Sequence, residues 1–187
     1  PTILLASKSP RRKQLIQELG FQFKLVHQDI DESFPSQLPK EKVAEFLAQQ
    51  KAEAVFSQLQ DRQIILAADT IVLKDNQIFH KPKDAEDARN ILNELSDSMH
   101  QVITGVCLLN QSNKHSFSCI SKVYFSPISA AEMDYYIDKY QPYDKAGAYA
   151  IQEWIGMAKI KRIEGSYHNI VGLPTHEVYN AITNLYK

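Results

Sequence analysis

The run Ile64-Ile65-Leu66-Ala67-Ala68-Asp69-Thr70-Ile71-Val72-Leu73 constrains the fold more than any other part of the sequence. Apolar at all but two positions and without alternation, it reads as a buried strand. Lys74-Asp75-Asn76-Gln77 then reads as a hairpin turn returning the chain through Ile78-Phe79. A buried strand needs covering layers, and the flanking sequence supplies them. Strand 2–6, helix 10–19 and a short strand near 21–27 come first, followed by the acidic loop Asp29-Ile30-Asp31-Glu32 and a long helix from about Lys40 to Leu59. Asp84 caps a helix carrying Ala88, Ile91, Leu92 and Leu95. Two alternating strands follow, through Val102, Thr104, Val106 and Leu108 and through Phe117, Cys119, Ser121, Val123 and Phe125. Ser129 with Glu132 matches a capping box that opens a helix through Met133, Tyr136, Ile137 and Tyr140. An irregular stretch is expected over 141–157, a strand near 158–163, and a C-terminal helix from about Pro174 carrying Val178, Tyr179, Ile182 and Leu185. Interspersed helices and strands with a hairpin predict an α/β fold, a mixed sheet flanked by helices.

The 187 residues show no internal repeat, low-complexity tract or Gly/Ser linker, so one domain over 1–187 is expected. A formal net charge of −1 argues against a chain that coats nucleic acid, and focuses any phosphate affinity in one place. The longest uninterrupted apolar stretch, Ile64 to Ala68, is far too short to span a bilayer, so no membrane association is expected. Cys107 and Cys119 are isolated, without metal or redox spacing, and no signal-like segment stands at the N-terminal end. A reducing cytoplasm is the expectation, without zinc.

Several polar residues interrupt this pattern. Asp69 and Thr70 stand inside the buried strand, and a carboxylate there needs a partner, a metal or a raised pKa. It suits a metal ligand, a general base or a structural ion pair. Lys51 falls within the apolar arc of Val43, Leu47, Ala54 and Val55, so it either snorkels past the core or reaches into a cleft. Lys81, in His80-Lys81-Pro82, follows the hairpin that Asp69 leads into. Glu32 ends a loop that is either a solvated turn or a source of an oxygen ligand for a hard cation.

Lys8, Arg11, Arg12 and Lys13 crowd the first turn of the helix that Ser9 caps and Pro10 opens. The macrodipole disfavours cations at that end by about 0.3–1 kcal/mol each. A strand, a turn, a helix N-terminus and two arginines form an anion site, which would explain the charges; a solvated basic turn is the other reading. Asp144-Lys145-Ala146-Gly147-Ala148-Tyr149-Ala150-Ile151-Gln152 joins small residues to a charged pair and an amide, as either a ligand loop or a plain glycine turn. There is no P-loop, G-x-G-x-x-G, G-x-S-x-G or H-E-x-x-H motif.

Together, Ala6-Ser7-Lys8-Ser9-Pro10-Arg11-Arg12, Asp31-Glu32-Ser33, Lys51-Ala52, Ala68-Asp69-Thr70, Lys81-Pro82, Thr104-Gly105-Val106, Asp144-Lys145-Ala146-Gly147-Ala148-Tyr149 and Gly172-Leu173-Pro174 resemble the Maf family of nucleoside triphosphate pyrophosphatases. The match runs in order from residue 2 to about 185. The resemblance implies an elongated mixed sheet with two lobes around a nucleotide cleft, similar to the inosine triphosphate pyrophosphatases. It further implies hydrolysis between the α and β phosphates, Mg²⁺ or Mn²⁺ as cofactor, a homodimer, and the branch acting on dTTP and UTP. Carried over by motif, Asp69 accepts the proton, Arg12, Thr70 and Gln152 discriminate the base, and Ser7, Arg11 and Lys145 belong to the substrate pocket. Lys51 and Lys81 neutralise charge on the leaving pyrophosphate, and Glu32 joins Asp69 in holding the metal. Ala150 and Glu153 depart from the pattern, standing where the family usually has glycine. Two other classes use similar parts: a nucleotide-sensing regulator of cell division that binds without turnover, and a nucleotidyltransferase that requires an acceptor.

Overall fold

The computed structural model describes residues 2–185; Pro1 and residues 186–187, the ends of the expected domain, lie outside the described residues. Among the described residues, seven strands and seven α-helices follow in the order β1 (Thr2–Ala6), α1 (Pro10–Glu18), β2 (Phe23–Val26), α2 (Val43–Ala54), β3 (Gln63–Lys74), β4 (Gln77–Phe79), α3 (Ala85–Leu95), β5 (Met99–Leu109), β6 (Lys114–Phe125), α4 (Ala130–Tyr140), α5 (Trp154–Lys159), β7 (Ile160–Glu164), α6 (Tyr167–Val171) and α7 (Thr175–Asn184). The strand order is β2-β1-β3-β5-β6-β7, with β4 on β3. β1 runs parallel to β2 and β3, whereas β4 pairs with β3 and β7 with β6 antiparallel, so the sheet is mixed as expected.

The chain forms two compact units, and it passes from one to the other within β3, β5 and β6. The first unit holds the chain up to Thr70, Thr104–Cys119, and the chain from Gly172. Its core gathers Leu4, Ala6, Ala48, Ala52, Ile65, Ala67 and Cys107 from β1, α2, β3 and β5. Parallel pairing places Ala6 opposite Ala67, so the turn after β1 leaves the sheet beside the stretch of β3 that precedes Asp69. α2 approaches β5 so closely at Gly105 that any Cβ there would collide with the backbone of Ala44 and Glu45. The second unit holds Ile71–Ile103 and Ile120–Val171. Leu92 and Leu95 of α3, Val123 and Phe125 of β6, and Tyr136 and Ile137 of α4 fill its core.

Four expectations change. The helix expected over 40–59 is α2 alone, flanked by 3₁₀ turns at Lys40–Lys42 and Phe56–Gln58, because Val55 leaves helical geometry (φ −103°, ψ 8°) while its side chain is buried in the core. The alternation read in 102–108 is absent: every residue from Val102 to Leu109 is buried, as in a strand covered on both faces. The irregular stretch ends at residue 153 rather than 157, and β7 begins at Ile160. α5 and α6 have six and five residues, too short to show a helical period in sequence. Tyr179, expected on the apolar stripe of α7, is 46% exposed and meets the ring of Phe21 instead.

His100, fully buried in the second unit, makes the fold sensitive to acid. Its Nε2 shares a 2.7 Å hydrogen bond with the Tyr149 hydroxyl, and its ring packs on Phe125 and Tyr149. Nδ1 has no hydrogen-bond partner among the described residues, so a second proton would be buried unsatisfied. Burial, and secondarily Lys74, hold the imidazole pKa down to about 3. The unfolded chain takes up this proton near pH 6.5, so stability is full above that pH and falls as the pH drops toward 3, by about 1.4 kcal/mol per unit. Urea midpoints measured from pH 7 to 4 are expected to fall more steeply in wild type than in His100→Gln; parallel slopes would contradict this account.

Candidate active site

The first unit assembles two neighbouring groups of polar side chains. Ser9 caps α1 by accepting from the Arg12 N–H (3.4 Å), and Pro10 occupies the first helical turn, where its missing N–H costs nothing. The cap directs Arg12 inward. Its Nε donates to the Gly172 carbonyl (2.8 Å), Nη2 to Thr70 Oγ1 (2.8 Å) and Nη1 to Ser7 Oγ (3.5 Å). Thr70 Oγ1 also lies 2.9 Å from Thr104 Oγ1. The guanidinium is therefore fixed by three segments of the unit, and each Nη keeps a second N–H for a ligand. Burial lowers the Arg12 pKa, Asp69 opposes it, Arg11 adds to it and Glu32 opposes it; the group remains a cation. Arg11 stands half-buried on the same turn, while Lys8 and Lys13 are exposed.

The second group centres on Lys51. Its ammonium lies 2.5 Å from Asp69 Oδ1 and 2.8 Å from Glu32 Oε1. The side chains of Lys51 and Asp69 are 20% and 14% exposed, whereas Glu32 is 58% exposed. Of the two readings of Lys51, the structure favours the one in which it reaches into a polar site. The buried positions of α2 are Val43, Ala44, Leu47, Ala48 and Ala52, and at 100° per residue Lys51 falls inside that arc, with its ammonium turned to the two carboxylates. Glu32 is carried by a loop that Asp31 folds on itself, accepting from the Ser33 N–H (3.0 Å) and Oγ (2.9 Å). Asp29 ties the loop to Lys8 (3.0 Å).

Two carboxylates completed by water and phosphate oxygens form a donor set that Mg²⁺ takes, and here the pair already converges on a cation. Glu32 and Asp69 therefore fit a hard divalent ion with a substrate supplying ligands. No group of three or more His, Cys, Asp or Glu stands together among the described residues.

Three expected residues belong to the second unit. Lys81 is exposed, just past the end of β4 and before buried Pro82. Lys145 is nearly buried, its ammonium 2.8 Å from Asp144 Oδ1 and 3.4 Å from Glu153 Oε1. Gln152 is exposed and lines a pocket of about 470 Å³ together with Ile151, Ile160, Ile163 and Tyr167. Thr104 and Gly172 stand in motifs that carry the family resemblance, but the sequence assigned neither of them a role. A threonine at a core position of the 102–108 strand was a visible signal; a main-chain oxygen from a segment 160 residues away from Arg12 was not.

A family model described as Maf-like protein matches residues 2–185. A dTTP/UTP pyrophosphatase of Porphyromonas gingivalis is 47% identical over 183 residues, covering 96% of this chain and 92% of that protein. A dTTP/UTP pyrophosphatase of Cytophaga hutchinsonii is 41% identical over 185 residues, covering 99% of this chain and 84% of that one. Among solved structures, the Staphylococcus aureus Ham1 protein aligns over 100% of both chains with a TM-score of 0.55 at 14% identity, a likeness of fold.

Proposed function

The chain belongs to the Maf-like protein family, and on that premise we propose that it is a pyrophosphatase converting dTTP and UTP to the monophosphate and pyrophosphate. The observation that carries the reading is the Lys51 ammonium held between Asp69 and Glu32 in the unit where Arg12 is fixed with a share of its donors unused. In the reaction, a water oxygen bonds to the α phosphorus, the bond from that phosphorus to the bridging oxygen breaks, and pyrophosphate leaves. Asp69 takes the water's proton. Lys51 orients the Asp69 carboxylate through the 2.5 Å ion pair and places positive charge where the leaving group gains negative charge. Arg12, held by Thr70, Ser7 and the Gly172 carbonyl, offers its remaining N–H groups to phosphate or base, with Arg11 adding charge on the same turn. Glu32 and Asp69 would hold Mg²⁺ or Mn²⁺, which when bound neutralises phosphate charge. Lys81, Lys145 and Gln152 take substrate-facing roles by family resemblance, with Gln152 reading the base.

Residues 1–187 act as one functional domain, working as a homodimer in the cytoplasm. The free thiols of Cys107 and Cys119 support a reducing compartment. The test is pyrophosphate release from a panel of nucleoside triphosphates with Mg²⁺ or Mn²⁺. Turnover of dTTP and UTP that stops on chelation is expected. Release only with an added acceptor would make the protein a transferase, and binding without turnover a regulator.

A further inference from the structure

Glu153 directly follows exposed Gln152, and the second unit gives its side chain a definite place. Its main chain starts α5: the Glu153 carbonyl accepts from the Gly156 N–H (3.0 Å) and its N–H donates to the Ala150 carbonyl (3.1 Å). Its carboxylate turns inward. Oε2 accepts a hydrogen bond from the Tyr136 hydroxyl of α4, and Oε1 pairs with Lys145 Nζ at 3.4 Å. The same hydroxyl accepts from the Ala150 N–H at 3.1 Å. Tyr136 is fully buried, and burial together with the bond to Glu153 raises its pKa, so the phenol keeps its donor proton. Two consecutive residues of this strap, Gly147 and Ala148, have left-handed φ values of 73° and 59°, an arrangement that surrounding contacts must hold for an alanine. Ile151 is buried on one side of exposed Gln152, and the braced Glu153 follows on the other.

We propose that Glu153 is a positioning residue for Gln152: held by Tyr136 and Lys145, it fixes the 150–153 turn so that the Gln152 amide meets the pyrimidine base in one orientation. This role rests on the pyrophosphatase reading above. Lys145 braces the turn through its 3.4 Å pair with Glu153 while its shorter 2.8 Å pair with Asp144 steadies the ammonium.

The experiment compares wild type with Glu153→Ala, Glu153→Gln and Tyr136→Phe, using UTP and CTP as probes and reading amide hydrogen exchange at residues 150–153. Base reading is remote from the reacting phosphorus, so Glu153→Ala and Tyr136→Phe should raise KM for UTP about tenfold with kcat within about threefold, and erode the preference for UTP over CTP. Exchange at Gln152 and Glu153 should quicken, and Glu153→Gln, which keeps an acceptor for Tyr136, should restore most of both. Should Glu153→Ala not fold, the other two variants decide. A wild type silent on every nucleotide overturns the pyrophosphatase reading and this role with it. An active wild type whose variants keep its KM, preference and exchange rates overturns the brace alone, as does a loss confined to kcat that tracks falling Tm.

Discussion

Asp69→Asn is expected to abolish pyrophosphate release while the protein stays folded. Asparagine matches aspartate in shape and still accepts a hydrogen bond from Lys51, but it cannot take a proton from water. The fold tolerates the change because Lys51 keeps its 2.8 Å pair with Glu32, so no charge is left buried and alone. Neither does the strand depend on Asp69 for packing: Ile64–Ala68 and Ile71–Leu73 are buried on either side of it, and Asp69 and Thr70 are the two half-buried positions between them. Loss of a general base lowers kcat by about 10² to 10⁴, and loss of a metal ligand would add to that. The measurement is kcat for dTTP and UTP, with circular dichroism and a thermal melt on the same samples. A folded mutant with near-normal kcat would remove Asp69 from the chemistry.

The features legible in sequence were those written within one element. Ser9-Pro10 marked the start of α1, Ser129 with Glu132 the capping box of α4, and Asp75-Asn76 a hairpin turn in which both residues adopt positive φ. Asp69 was legible because a carboxylate breaks a buried apolar run, and Lys51 because a lysine breaks an apolar arc. What neither break reveals is that the two lie 2.5 Å apart, since that depends on how α2 sits on the sheet, and Gly105 in β5 sets that approach. The basic turn was ambiguous for the same reason. Whether Arg12 is solvated or fixed is decided by Thr70 and Gly172, 58 and 160 residues away. The Tyr136–Glu153 bond spans only 17 residues and is no more legible: Tyr136 reads as an ordinary core residue of α4, and nothing in its spacing announces that its hydroxyl holds a loop.

Lys51→Met separates the two readings of that residue. Methionine keeps the apolar length of the stem and removes the ammonium, so a lysine whose stem only covers the core would be replaced without effect on activity. If instead the charge acts at the site, kcat/KM is expected to fall about 10²-fold, the scale of losing one charge-stabilising donor, with Tm little changed. The same substitution leaves Asp69 and Glu32 facing each other without the cation that now lies between them. A divalent ion no longer has to displace an ammonium there, so Mn²⁺ titrated into the nucleotide-free protein should bind more tightly than to wild type even as turnover falls. Opposite movement of these two readouts follows only if the lysine and the metal share the carboxylates. Mn²⁺ affinity that stays unchanged would place the ion elsewhere, and a mutant that fails to fold would return Lys51 to the snorkelling reading.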